Sequence, residues 1–394
     1  MFETKKFEEI NASDLKSLLN DPIARESRTI DYKRELNVAI SKDKKEFLAD
    51  ISSFANTVGG YLFYGIDESD GIPIAIKLIA IENQDSDILR LEQIVRAGIR
   101  PQINGANLRF VPVDNGCVLI VYIPKSWSAP HMVTFDNHNK FYGRSSSGKF
   151  FLDVGELRVL FNLSETSYER IRNFRAERIA KIIGNMELPV EMGQDLAKIL
   201  LHLVPFSMVD PGGMKIDIST LRSDRSFFAP FGRGMTGSHL NFDGLVTFAS
   251  NTKPGSGCSY TQVFRNGCIE VVDSDMLNHR DKKVIPGGTF DLEILESITN
   301  YTQVLEKYKV TPPFLLMLSL LNVKGYEMAV DPKYSYRNSM QLIDRTNLIV
   351  PEVILTDFSD NLPDLMKSAF DSVWNACGWS GSKNYDESGN WVGR

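Results

Sequence analysis

Glu26, Asp31, Lys33 and Asp67 are the residues of this 394-residue chain whose types and spacing could do chemistry. Carboxylates that converge can hold a hard divalent cation such as Mg²⁺ or Mn²⁺, which takes oxygen ligands, keeps several waters and needs no histidine or cysteine. A metal so held would activate a water, or steady the leaving oxygen, in an in-line attack on phosphorus. Lys33 would neutralise the charge that develops there. The same residues also suit a plainer arrangement, with Asp31 and Lys33 as a solvated strand pair, Glu26 as a charge beside a helix and Asp67 as a turn-starting aspartate.

Elements must position these groups. Residues 29–36 and 61–66 are short runs rich in aromatic and β-branched residues, of strand length. Between them, residues 44–57 repeat Phe47, Leu48, Ile51, Phe54 and Ala55 at helical spacing, until Gly59 and Gly60 supply the stop. A strand–helix–strand unit therefore carries Asp31 and Asp67, with Asp31 and Lys33 on one strand face and Ile30 and Tyr32 on the other. Asp67 is expected to end its strand just before the turn Glu68-Ser69-Asp70-Gly71, partly open to solvent.

Taken together, the motifs of residues 20–160 resemble the Schlafen AlbA-type domain. They are Glu26 with an acidic residue five positions on, the lysine after Tyr32, Phe54-Ala55-Asn56-Thr57-Val58-Gly59-Gly60, Gly65-Ile66-Asp67, Pro124 with Ser126, and Tyr142 with Arg144. The resemblance implies an α+β fold with a mixed sheet and packed helices. In the nuclease branch of that family, two carboxylates five apart and an aspartate after the Gly-Gly strand form a metal-dependent ribonuclease site, roles that fall here on Glu26, Asp31 and Asp67. Asp31 stands where the family usually has Glu, an arm one methylene shorter. The implied activity is a metal-dependent endoribonuclease acting on structured RNA such as tRNA, with phage defence as its context. A non-catalytic DNA- or RNA-binding regulator and a ligand-sensing or scaffolding protein stay open beside it. Schlafen cores enclose RNA between two lobes and one lobe is recognisable here, so a homodimer or larger homo-oligomer is expected.

A net charge of −6 argues against a chain that simply coats nucleic acid, because non-specific affinity comes from many phosphate contacts. Any groove must be locally basic. Candidates are Arg25, Arg28, Lys33 and Arg34 around the first strand, Lys42, Lys44 and Lys45 at the helix start, Arg96 and Arg100, and Lys140, Arg144 and Lys149 with Ser145. Each cluster alone fits a solvated face. Residues 143–149 keep the spacing of a phosphate-binding loop, but Phe150 replaces the Ser or Thr that would hold Mg²⁺ and no helix opens there. Arg144, Ser145 and Lys149 could still touch a phosphate from a loop. Asp153 with Glu156 reads as the capping box of a helix over 153–162. The five histidines are dispersed, and His131 reads as a loop anchor.

Length and a 43% hydrophobic content suit two domains: 1–164, a linking helix over 165–186, and an α+β domain over 187–394 that senses a trigger or assembles the active form. Cys117, Cys258, Cys268 and Cys377 lack paired short spacing, which argues against a zinc site or disulfide framework and for a reducing compartment. With no leader and no apolar run of bilayer length, a cytoplasmic protein without a membrane partner is expected. In the second domain, helices are predicted at 190–204, 290–309, 312–322 and 360–378, and strands near 244–249, 261–264 and 268–272, the last two joined by a hairpin at Arg265-Asn266-Gly267. Residues 251–259 suggest a binding loop. Tyr260, Gln262, Arg265 and Asn266 could line a ligand pocket or an ordinary sheet face. The tail, 380–394, is expected to be loose at its end, with Trp391 either docking on a neighbour or unstructured.

Overall fold

Ile30–Lys33 pairs in parallel with Gly59–Tyr64, and parallel neighbours need a crossover, which the helix Ser41–Ala55 supplies. Gly116–Pro124 and Asn107–Val113 continue the sheet antiparallel, in the order first strand, second strand, 116–124, 107–113. Gly116–Pro124 is almost wholly apolar because both of its faces are covered. Leu119, Val121 and Ile123 pack with Phe47, Ile51 and Phe54 of the helix. Val118 and Ile120 pack with Leu15 and Leu18 on the opposite face. The computed structural model describes residue 5 and residues 7–79, 83–209, 215–231, 234–250, 258–278, 282–330 and 341–393.

The chain divides into two units, Met1–Thr166 and Ser167–Arg394. A second sheet in the first unit runs Gly148–Phe151, Lys140–Ser145, Met132–Val133, Ile99–Arg100. Residues 143–149 are therefore a β-hairpin, not a phosphate loop. The helix that follows is capped as its sequence predicts: Asp153 N–H donates to the Glu156 carboxylate at 2.9 Å, and Asp153 Oδ1 accepts Glu156 N–H at 2.8 Å. It runs unbroken over Val154–Ile183, where two helices were expected, because Leu163-Ser164-Glu165-Thr166 contains no Gly or Pro to stop it.

The second unit is α+β, built on an eight-stranded antiparallel sheet. Its centre is made of Cys258–Phe264, Ile269–Asp273, Lys198–Pro205 and Phe314–Leu321. The helices predicted at 190–204 and 312–322 are thus corrected to strands. Gly287–Lys307 and Leu362–Ala376 are helices as expected and cover one face with Phe290, Ile294, Ile298, Phe370 and Trp374. Ile182 lies against Leu200, Tyr260 and Val272 on the other. The Asn266-Gly267 hairpin is present, with Gly267 at φ 84°. The start of the tail is anchored, Ser382 Oγ and Asn384 Nδ2 donating to Asp291 Oδ2 at 2.5 and 2.8 Å, and Trp391 packs on Tyr385. The binding loop expected at 251–259 lies outside the described residues up to 257, and Cys258 and Ser259 are strand residues.

Candidate nucleic-acid interface

Asp31 is 3% exposed and sits between two cations. Its Oδ1 is 2.9 Å from Arg144 Nη2, and its Oδ2 is 2.8 Å from Lys33 Nζ. Period two puts Asp31 and Lys33 on one face of their strand, as expected. The hairpin strand Lys140–Ser145 brings Arg144 in, where its guanidinium lies 4.4 Å over the Phe54 ring and its Nε donates to the Ser27 carbonyl at 3.3 Å. One helix turn away, Asp50 is 2% exposed and accepts from Lys149 Nζ at 2.7 Å, while Lys149 also pairs with Glu46. Acidic and basic side chains thus alternate from Asp31 through Lys33 and Asp50 to Lys149, with Glu26 beside Asp31 at the head of the series.

Protonation follows this order. Burial pushes the Glu26 carboxyl up, and the hydrogen bond it shares with Asp31 adds to that, against the Tyr32 N–H that Glu26 Oε1 accepts at 2.9 Å; the result is about 7. Burial would raise Asp31 too, but the hydrogen bond from Glu26 and the fields of Lys33 and Arg144 outweigh it and hold Asp31 below the usual carboxylate range. Asp50 is raised by burial, against the pull of Lys149 and Lys33. Lys33 is held above its ordinary value despite burial, because Asp50 and Asp31 face it.

The three acids expected to share a metal stand in different settings. Asp67 lies inside the strand Ile66–Ser69, not at its end, and its Oδ2 is 3.8 Å from Arg34 Nη1. Both Asp31 oxygens face cations, and Glu26 shares a proton with Asp31. Among the described residues, no three His, Cys, Asp or Glu side chains form a group able to hold a metal ion. A hard cation at this site would therefore rest on one or two of these carboxylates, with waters and substrate oxygens completing its shell.

The basic residues named from the sequence separate into two sets. Arg144, Lys149 and Lys33 belong to the ionic frame, and Ser145 Oγ is turned to the Gly148 carbonyl at 3.2 Å. Lys45 pairs with Asp136 at 2.7 Å and Lys44 lies over Phe135. Arg25, Arg28 and Arg34 are exposed, with Arg25 Nε donating to the Asp70 carbonyl at 3.0 Å.

A second frame, which sequence reasoning did not assemble, holds the loop after Gly116–Pro124. Asn56 Oδ1 accepts His131 N–H at 2.6 Å, and Asn56 Nδ2 donates to the His131 and Tyr142 carbonyls at 3.0 and 2.8 Å. His131 is fully buried, with Nδ1 2.8 Å from the Pro101 carbonyl and Nε2 2.6 Å from Ser126 Oγ. A carbonyl only accepts, so Nδ1 carries the proton and the Ser126 hydroxyl donates to Nε2. Burial lowers the His131 pKa, against the bond to Pro101, which keeps the ring neutral for this role. Gly59 and Gly60 permit close backbone approach: a Cβ would stand 2.5 Å from Lys125 N at the first and 2.2 Å from the Thr29 carbonyl oxygen at the second. Asn56, Gly59, Gly60, Ser126, Tyr142 and Arg144, quoted above as separate motifs, are one piece of construction.

Residues 26–153 match the family model described as Schlafen, AlbA_2. No curated protein matches the chain. Among solved structures, a Corynebacterium diphtheriae protein is similar at 17% identity and TM-score 0.27, over 36% of this chain and 26% of that one. The N-terminal domain of a Nitrosomonas europaea protein described as related to the ATP-dependent DNA helicase RecG is similar at 23% identity and TM-score 0.23, over 29% of this chain and 74% of that one. The match thus spans about a quarter of the first of these chains. The residues of both frames lie within the matched stretch, and over residues 26–153 the chain is similar to the Schlafen AlbA_2 domain.

Proposed function

We propose that the first unit is a nucleic-acid-binding module whose acidic residues form a buried ionic frame rather than a metal centre. The observation that carries this is Asp31, buried between Lys33 and Arg144 with one cation facing each oxygen. A carboxylate so placed holds the hairpin strand against the first strand, with Lys33 and Arg144 supplying the positive charge it faces. Because Asp31 and Asp50 are neutralised from inside, exposed Arg25 and Arg28 present positive charge outward, as binding to a polyanion needs. The family match supports nucleic acid as the partner class.

The test uses total tRNA, single-stranded DNA and duplex DNA, each with Mg²⁺, with Mn²⁺ and with chelator, alongside a Glu26→Ala/Asp67→Ala variant. Binding that weakens with salt, with every substrate left intact, is expected. Metal-dependent cleavage that disappears in the double variant would replace this reading with the metal-dependent endoribonuclease.

A further inference from the structure

The chain has four tryptophans, and three of them serve the core of the second unit: Trp374 and Trp379 are buried in it and Trp391 packs against it. The fourth, Trp127, is partly exposed and belongs to none of the four apolar clusters among the described residues. A single surface aromatic is ordinary, so what sets Trp127 apart is how its loop is held and what lies on its ring. Its loop is not slack. Ser126 N–H donates to the Ala55 carbonyl at 3.1 Å, Ser126 Oγ is held by the buried His131, and Ser128 N–H donates back to Ser126 Oγ at 3.2 Å. The backbone on both sides of Trp127 is therefore held in place. Lys125 Nζ lies 4.4 Å from its ring centroid, so a cation and an aromatic face are presented together. Gly59 and Gly60 draw Lys125 and Thr29 to the same end of the sheet, beside the exposed Arg28.

We propose that Trp127 is a stacking platform for an unpaired base of single-stranded nucleic acid, with Lys125 and Arg28 taking the flanking phosphates. The proposal rests on the nucleic-acid reading above and narrows it. Every base has a π-face that an indole can cover, so the contact tolerates sequence and adds to a phosphate-binding cation beside it. In a duplex those faces are already covered by neighbouring base pairs, so the platform selects single strands. Ser126 and His131 are positioning residues: they hold the loop and touch no nucleic acid.

The experiment measures binding of a fluorescein-labelled oligothymidylate, free and annealed to its complement, to the full chain and to Trp127→Ala and Trp127→Phe. Trp127→Ala is expected to weaken single-strand binding by about 5- to 150-fold, the range that stacking losses give, while Trp127→Phe keeps most of it. Duplex binding should change less than about twofold, since it depends on phosphate contacts. Tryptophan fluorescence should be quenched by the single strand in the wild type and not in Trp127→Phe. If both variants bind the single strand as the wild type does, or if single strand and duplex weaken equally, the platform is refuted while the module reading survives. A wild-type chain that binds neither form at low salt would overturn both.

Discussion

Arg144 and Asp31 show how little of an ion pair's role is visible in residue type. Their spacing of 113 positions carries no periodic signal, and both were legible only as separate motif residues, one expected at a phosphate and the other at a metal. Once paired and buried, each exists to neutralise the other. Removing one partner leaves an uncompensated charge in the interior, so Arg144→Met is expected to cost about 3–5 kcal/mol in urea unfolding. A loss under about 1 kcal/mol would show that the pair does not hold the hairpin. Glu26 supplies a pH signature. Its folded pKa of about 7 exceeds the ordinary 4.5, so folding favours its protonated form. The stability it contributes is complete below about pH 4.5 and is lost as pH rises through about 7. Unfolding midpoints taken across that window should fall for the wild type, and Glu26→Gln should flatten that component of the slope.

Elements were easiest to read where one face meets water and hardest where neither does. The helix Ser41–Ala55 has a clear apolar side, and Asn266-Gly267 fixes its hairpin. Lys198–Pro205 and Phe314–Leu321 are central strands buried at every position, and a continuous apolar run has no period to separate strand from helix. Arg178 was missed for a related reason, lying on a charged helix that reads as a solvated linker. Instead it is buried, with Nε and Nη2 each 2.8 Å from the Glu270 carboxylate, which His202 and Tyr260 also approach. Arg178→Met should therefore cost about 3–5 kcal/mol, read by urea unfolding, whereas a solvated helix charge would cost almost nothing. The anchoring of the tail's start was not legible, because Gly and polar residues look unstructured although the Ser382 and Asn384 donors converge on Asp291. Burial raises that carboxyl to about 6 against the bonds from Ser382, Asn384 and Trp374. Ser382→Ala is expected to lose about 1–3 kcal/mol, and a null effect on thermal unfolding would mean that the tail is not a strap.

At the scale of the whole molecule, a net charge of −6 and a nucleic-acid partner look incompatible until the charges are sorted by depth. Several of the acids that make the chain acidic are spent inside: Asp31 and Asp50 in the first unit, Glu270 and Asp291 in the second. What a polyanion meets is local, and the cations placed at the Trp127 end of the sheet are Arg28, which is exposed, and Lys125 on the Trp127 ring. Affinity there must come from a small number of phosphate contacts plus stacking, which predicts a weak dependence on salt. Each phosphate neutralised on a single strand contributes about −0.7 to the slope of log K against log salt concentration. Arg28→Ala should therefore flatten the slope by about 0.7, while Trp127→Ala should lower affinity at every salt concentration and leave the slope unchanged. Titrations of the oligothymidylate at several salt concentrations separate the two. A slope that changes with Trp127 and not with Arg28 would show that the charge and stacking roles have been assigned to the wrong residues.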